Sequence, residues 1–380
     1  MQQLIDTVRD AAASGRRLRL RGGGTKDFLG PPLQGEVLDT RSYAGIVSYE
    51  PSELVVTARC GTPLAELEAV LAEKGQHLAF EPPHFGPGAT VGGMVAAGLS
   101  GPARASVGAL RDYVLGVRLI NGQGQDLTFG GQVMKNVAGY DVSRLLAASW
   151  GTLGLITEVS LKVLPVAPAE ATLMCAGIAQ QKALELLQRW GALPLPLNAS
   201  AWVRDPSGEP GEDYLFVRLR GAVAAVESAA RQMGAHAQDL GAKVLRMQPQ
   251  EAAKDWHASG EQTLPFFEPP AQQLCLWRLS VPQTAAVIDL VGMDSSAQYI
   301  EWQGAQRWLW APAGAADALR QAAQAAGGHA TLFRASRLGV DLDRQAGAGS
   351  PLGAVQQRIG RELQKQFDPQ GVFATGRLAF

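Results

Sequence analysis

The sequence predicts an α+β protein of two lobes, the first built around glycine-rich segments and the second around alanine-rich helices. Three observations predict this. A chain of 380 residues exceeds what one hydrophobic core usually organises. Its 44 glycines, about 12% against a usual ~7%, include three dense segments within the first 165 residues. After Pro165 the texture changes from strands to a mixture of strands and alanine-rich helices.

The elements follow in order. Leu4, Ile5, Val8, Ala11 and Ala12 recur at helical spacing, which predicts a surface helix over residues 1–14. Leu18 and Leu20 alternate with arginines, a strand running into a glycine turn. A strand pair is expected at Val37–Asp39 and Leu54–Ala58. Leu64, Leu67, Val70 and Leu71 predict a helix over Thr62–Lys74, capped by Thr62, with Pro63 in its first position and Glu66 near its start. YVLGVRLI and QDLTFGG flank Asn121-Gly122-Gln123-Gly124, a hairpin signal. Val142–Ser149 reads as helical, and LGLITEVSLKVLP as a long strand ended by Pro165. PVAPAEATL reads as a linker. Strands are then expected at Tyr214–Arg220, Leu274–Val281 and Gln306–Trp310, and helices at Val223–Met233, Ala315–Ala325 and Val355–Phe367.

Composition excludes several classes of function. Hydrophobic residues at 46% and charged residues at 18% exclude wholesale disorder. A net charge of −1 gives no global field for nucleic acid or anionic lipid. Cys60, Cys175 and Cys275 form no CxxC pair and are too few for an all-cysteine iron–sulfur cluster. The N-terminus has acidic residues and no apolar core, and no apolar run approaches the ~20 residues of a membrane span. The expectation is a cytoplasmic chain, not itself inserted in the membrane, that a membrane-bound partner can still dock.

Three segments carry chemistry. In Arg21-Gly22-Gly23-Gly24-Thr25-Lys26, successive N–H groups without side chains can form a concave anion site, to which Thr25 and Lys26 add a hydroxyl and a charge; the bland alternative is a tight turn. Asp27 stands where a GxGxxG fingerprint needs its third glycine, and no Gly-Lys dipeptide exists for a Walker loop. The run Gly88 to Gly98 has eleven mostly small residues, which lets the backbone lie flat against a large ligand or pack closely on another backbone. The third segment is Lys135–Asp141 followed by Trp150–Thr157, where Gly151–Gly154 precedes a strand.

In this order and spacing, the three segments resemble the vanillyl-alcohol-oxidase/PCMH family of FAD proteins over residues 16–165. Stretches spread from end to end (EPPHFGPGATVGGMVAAGLSGP, VMKNVAGYDVSRL, LPFFEPP, GGHATLF, FDPQGVFATGR) further resemble the E-subunit family of bacterial glycolate oxidase (glycolate dehydrogenase). The resemblance implies a two-subdomain PCMH-type FAD-binding domain over 1–168, an inserted α+β cap over 169–344, and a C-terminal piece, 345–380, that rejoins the first domain. It implies a phosphate loop from Arg21, Gly22, Gly23, Gly24, Thr25 and Lys26. It implies flavin contacts from Pro83, Ala89, Thr90, Val91, Gly92, Gly93, Ala96 and Gly98, and further contacts from Tyr140, Gly151, Gly154 and Ile156.

Departures from the family refine the expectation. Covalent members use a histidine in the first loop; Thr25 and no histidine stand here, so noncovalent FAD is expected. His84 sits either near the flavin edge or at the surface or a hinge. The related D-type subunits carry histidine motifs associated with metal and substrate, and neither motif occurs here. No two of the five histidines lie within four residues of each other, so no helical two-histidine metal site is expected. His329 is a candidate base and Arg377 a candidate cation beside the flavin, each set against a structural role. Trp302, Trp308 and Trp310 are expected as core or interface anchors, and Arg204, Arg218, Arg220 and Arg278 as candidate carboxylate clamps, with nothing in the sequence to choose among them. The expected function is an FAD-binding subunit that works with a homologous flavoprotein subunit and an iron–sulfur subunit on a small 2-hydroxy acid. A self-sufficient FAD oxidase and a non-catalytic partner retaining the fold are the alternatives.

Overall fold

Helix α1 (Gln2–Ser14) forms where Leu4, Ile5, Val8 and Ala11 share one face, and that face is buried. It stops at Gly15, whose φ of 65° suits glycine. The chain then enters β1 (Leu18–Arg21), which pairs in parallel with β2 (Glu36–Asp39). A five-stranded antiparallel sheet follows, built from β3 (Ile46–Glu50), β4 (Val55–Arg59), β6 (Val114–Ile120), β7 (Asp126–Gly130) and β8 (Leu155–Lys162) in the order β3-β4-β8-β6-β7. Central β8 is buried along most of its length, whereas edge β7 alternates between exposed and half-buried positions. The two-residue β5 (Gln76–His77) and β9 (Leu164–Pro165) pair separately. Between strands lie α2 (Leu64–Ala72) and α3 (Val91–Ala97).

This computed structural model describes residues 1–131, 140–205, 212–290, 292, 297–339 and 351–377. The elements above belong to the first of two units, which comprises Met1–Ser100, Ala109–Val166 and Pro351–Phe380. Its C-terminal part enters through a core shared by Leu4, Val8, Leu18, Cys60, Val372 and Phe373. Asp368 anchors that return, accepting from the Val372 and Phe373 amides at 2.8 and 2.7 Å.

The second unit comprises Gly101–Gly108 and Ala167–Ser350. Its eight-stranded antiparallel sheet contains β10 (Ala169–Ala176), β11 (Leu197–Asp205), β12 (Glu212–Gly221), β13 (Lys243–Arg246), β14 (Cys275–Ser280), β15 (Gln298–Glu301), β16 (Gln306–Ala311) and β17 (His329–Arg334). The order is β13-β10-β12-β11-β15-β16-β14-β17. Two core clusters pack against the sheet. Trp190, Trp202, Leu215 and Met233 mark one, with helices Gln180–Gly191 and Val223–Gln238. Trp277, Leu279, Leu309 and Leu319 mark the other, with helix Ala316–Ala325.

Several local expectations need correction. Val37–Asp39 and Leu54–Ala58 are strands but not partners: the first region pairs with β1, the second with β3 and β8. Thr62 does not cap α2; its hydroxyl exchanges hydrogen bonds with the backbone of Gly45 at 2.9 and 3.1 Å, and Pro63 holds the cap position. The supposed linker after Pro165 contains most of β10, which lies between β12 and β13. The run Gly88–Gly98 is not flat backbone, because seven of its residues form α3. Residues 101–108, expected within the first 168-residue domain, cluster with the second unit.

Candidate functional site

Strand β1 delivers the chain to Gly22-Gly23-Gly24, and the space around these residues explains why they are glycines. A Cβ on Gly23 would lie 1.5 Å from the Gly88 carbonyl oxygen, and one on Gly22 would lie 2.3 Å from Thr90 Oγ1. Gly24 has φ +73°, a conformation that costs other residues ~1–2 kcal/mol. The first two glycine-rich segments therefore interlock. Among the described residues, the amides of Gly22, Gly23, Gly24 and Thr25 meet no hydrogen-bond acceptor. Successive N–H groups left without acceptors form a concave site for an anion. Arg21 is braced by Asp27 at 2.7 Å, and buried Lys26 donates to the His84 carbonyl at 3.2 Å.

The amides at the start of α3 are already engaged. Val91 donates to the Thr62 carbonyl at 2.9 Å, Gly92 to the Cys60 carbonyl at 2.8 Å and Gly93 to Thr90 Oγ1 at 3.2 Å. Thr90 is thus a helix N-cap. Gly92 and Gly93 differ sharply. A Cβ on Gly92 would lie 2.6 Å from Cys60 Cβ, whereas one on Gly93 would meet only Thr90 Oγ1, at 3.2 Å. Neither has positive φ, so backbone strain is not the reason for either glycine.

The third wall is a strained turn bolted to α3. The Ala148 amide donates to Val95 and that of Trp150 to Ala96, at 3.0 and 2.9 Å. Both residues adopt positive φ, 64° and 54°, without being glycine. The Trp150 ring carries the Arg377 guanidinium 4.4 Å from its centroid. Arg377 also donates to the carbonyls of Leu29 and, at 3.4 Å, Lys26, tying the C-terminal tail to the first loop.

Together these walls enclose a cleft of about 820 Å³, part of it open to solvent. All six residues from Arg21 to Lys26 line it, as do Thr90, Gly92, Gly93 and Ala96, then Gly151, Gly154 and Ile156. Arg377 joins them. The remaining expected contacts lie elsewhere. Pro83, Ala89 and Val91 are buried in packing, Gly98 caps α3 against Ala148, and Tyr140 is 97% exposed. Lys135–Gly139 fall outside the described residues. Leu20, Asp27, Leu33, Thr40, Cys60, Trp150 and Leu155 also line the cleft without having been expected there. Of these, Trp150 and Leu155 carried a signal, since both fall in the third glycine-rich segment.

Nearby ionisable groups are committed. Burial pushes the Cys60 thiol up to about 12, so it remains a thiol. His84 Nε2 lies 2.9 Å from Glu68 Oε2. In the second unit, His329 begins β17 opposite Ser280. Trp302 and Trp308 are buried there, their indoles donating to the Gly101 carbonyl at 3.0 Å and to Glu301 Oε1 at 2.6 Å, so both are internal anchors. Half-buried Trp310 donates to the Phe266 carbonyl at 2.8 Å. Among the described residues no group of three or more His, Cys, Asp or Glu is placed to hold a metal, and no helix is long and apolar enough to cross a membrane.

Comparison with known proteins gives a consistent pattern. Residues 1–142 match the FAD binding domain family. Glycolate oxidase subunit GlcE of Escherichia coli (strain K12) is 41% identical over 377 residues, covering 99% of this chain and 97% of that protein. Two relatives match over shorter spans. D-lactate dehydrogenase of Archaeoglobus fulgidus is 34% identical over 38% of this chain and 33% of its own length. Glycolate oxidase subunit GlcD of Bacillus subtilis (strain 168) is 32% identical over 40% of this chain and 33% of its own length. Among solved structures, an alkyldihydroxyacetonephosphate synthase superposes with a TM-score of 0.67 at 15% identity, covering 98% of this chain and 73% of that one.

Proposed function

The chain belongs to the FAD-linked oxidoreductase family of glycolate oxidase subunit GlcE, and from that premise we propose that it is the FAD-holding subunit of a multi-subunit glycolate (2-hydroxy acid) dehydrogenase. The observation that carries the proposal is the cleft of the first unit, where three sequence-distant segments converge around four amides that meet no acceptor among the described residues. These features fit FAD. The amides of Gly22 to Thr25 suit a pyrophosphate, with Arg21 and Lys26 supplying positive charge. Each charge-assisted hydrogen bond contributes ~1.5–3 kcal/mol, offset in part by the cost of immobilising the cofactor. Thr90, Gly92, Gly93 and Ala96 present a small-residue wall to the flavin and ribityl chain, and Gly151, Gly154 and Ile156 close the other side.

Bound there, FAD supplies the two-electron chemistry of hydroxy-acid oxidation. The chain's own residues position it and shield it. Arg377 acts as a positioning residue, because its guanidinium already holds the carbonyls of Lys26 and Leu29 and the Trp150 ring. Attachment is noncovalent on this reading: the first loop offers no histidine, His84 faces Glu68, and Cys60 is held as an unreactive thiol.

Electrons leave through partners, a homologous flavoprotein subunit and an iron–sulfur subunit. Three separate, buried cysteines support this division of labour, as do the subunit names borne by the GlcE and GlcD relatives. The test is co-expression with the products of neighbouring genes, followed by purification through this chain and assay for flavin and iron. Stoichiometric flavin with a cysteine-rich, iron-containing partner is expected. Flavin in the chain alone, with no iron-bearing partner retained, would contradict the subunit reading.

A further inference from the structure

The four strand arginines that the sequence left undivided are separated by their partners. Arg204 grips Asp213 through two hydrogen bonds, 2.6 and 3.0 Å. Arg218 Nε donates to Asn198 Oδ1 at 2.7 Å while its guanidinium lies 5.0 Å from the Trp256 centroid. Arg220 pairs with Glu170. Arg278 stands apart. Among the described residues no acceptor takes a hydrogen bond from it, and its Nε is sealed from solvent.

Strand register fixes its surroundings. Arg278 lies opposite Trp308 on β16 and Thr331 on β17, whereas its chain neighbours Trp277 and Leu279 point into the core on the other face. The Phe333 ring centroid is 5.5 Å from its guanidinium carbon. Glu301, the carboxylate that acts on it, forms no ion pair with it and accepts from Trp308 Nε1 and Gln306 Nε2, both at 2.6 Å. A second guanidinium, Arg104, comes from the Gly101–Gly108 segment and sits 4.5 Å from the Trp302 centroid. Loss of water, and then the charge of Arg104, lower Arg278 to about 10. Arg278 is only partly buried, but its Nε is a sealed donor with no acceptor among the described residues, and a charged donor left so is costly unless an anion completes it.

We propose that Arg278, with Arg104 as the second cation, is a binding site in the second unit for the carboxylate of a small 2-hydroxy or 2-oxo acid. A planar, forked guanidinium matches a carboxylate through two parallel hydrogen bonds. Among the facing side chains named here, Trp308, Phe333 and Thr331 add no charge. The choice of acid class rests on the proposed function; the anion site itself stands on the second unit alone.

The test is calorimetric titration of the purified chain with glycolate, oxalate, inorganic phosphate and the neutral analogue glycolamide, flavin content being measured separately. Saturable binding of glycolate and oxalate, with none of glycolamide, is expected. Arg278→Met should abolish that binding, and Arg278→Lys should weaken it at least tenfold with flavin content unchanged. If Arg278→Met fails to fold, Arg278→Lys decides. Wild-type affinity in either folded variant, or no carboxylate binding to the wild type, overturns the site; preference for phosphate overturns the ligand class. Loss of the dehydrogenase reading, through absent partners or absent turnover, would leave this binding measurement intact.

Discussion

Two neighbouring glycines should respond in opposite ways to the same added methyl group. In Gly92→Ala the new Cβ would sit 2.6 Å from Cys60 Cβ and 3.0 Å from the Cys60 carbonyl, the acceptor that Gly92 itself engages. Backbone on both sides leaves little room to yield, so overpacking costs ~1–3 kcal/mol. At ~2–4 °C per kcal/mol for a unit of this size, melting should fall by about 2–12 °C. In Gly93→Ala the Cβ meets only Thr90 Oγ1, at 3.2 Å. Replacing glycine by alanine inside a helix returns ~0.5–1 kcal/mol, which offsets that contact and leaves stability near wild type. The methyl group instead enters the cleft that Gly93 lines. A clash with the flavin of ~1–3 kcal/mol would weaken FAD about 5- to 150-fold. Thermal unfolding of the two apoproteins, with FAD titrations followed by flavin fluorescence, separates the effects. Wild-type FAD affinity in Gly93→Ala, or wild-type melting in Gly92→Ala, would refute this account of α3.

Three further outcomes follow from the same geometry. Acid precipitation should leave the flavin in the supernatant, and Cys60 should resist iodoacetamide at pH 8 until denaturant is added, because burial holds it as a thiol; a yellow pellet would contradict this. Arg377→Met should lower FAD affinity at least tenfold through loss of its charged hydrogen bonds, ~1.5–3 kcal/mol each, with Arg377→Lys in between; unchanged titrations would exclude a positioning role. The Arg41 guanidinium hydrogen-bonded to Asp39 holds that carboxyl down at about 2. Its stabilisation is present above pH ~4 and is lost as pH falls through about 2. Because the pair is exposed and screened by solvent, its contribution is small. Acid unfolding of Asp39→Asn should converge with wild type below pH 2 and separate above pH 4, and a constant gap would contradict the linkage.

Local patterns were legible where local forces decide. The hairpin at Asn121–Gly124 forms because Asn121 Oδ1 accepts from the Gln123 and Gln125 amides, an interaction contained within five residues. The β1–β2 pairing, the insertion of β10 between β12 and β13, and the use of Thr62 on Gly45 depend on distant chain, so periodicity could not reveal them. The cleft follows the same rule. Glycine density marked its three walls, but the contact of Gly23 with Gly88 and the place of Cys60 and Thr40 appear only once the segments meet. Among the arginines, residue type and strand were legible, while the presence of Asp213 beside Arg204 and the lack, among the described residues, of any acceptor for Arg278 are tertiary facts.

On the proposed function, this chain holds FAD yet needs partners for sustained turnover. The direct measurement is glycolate-dependent reduction of an artificial acceptor by the flavin-loaded chain alone, repeated with the homologous flavoprotein and iron–sulfur subunits added. Negligible turnover is expected for the chain alone and robust turnover for the reconstituted complex. Equal turnover in both would contradict it and identify a self-sufficient oxidase.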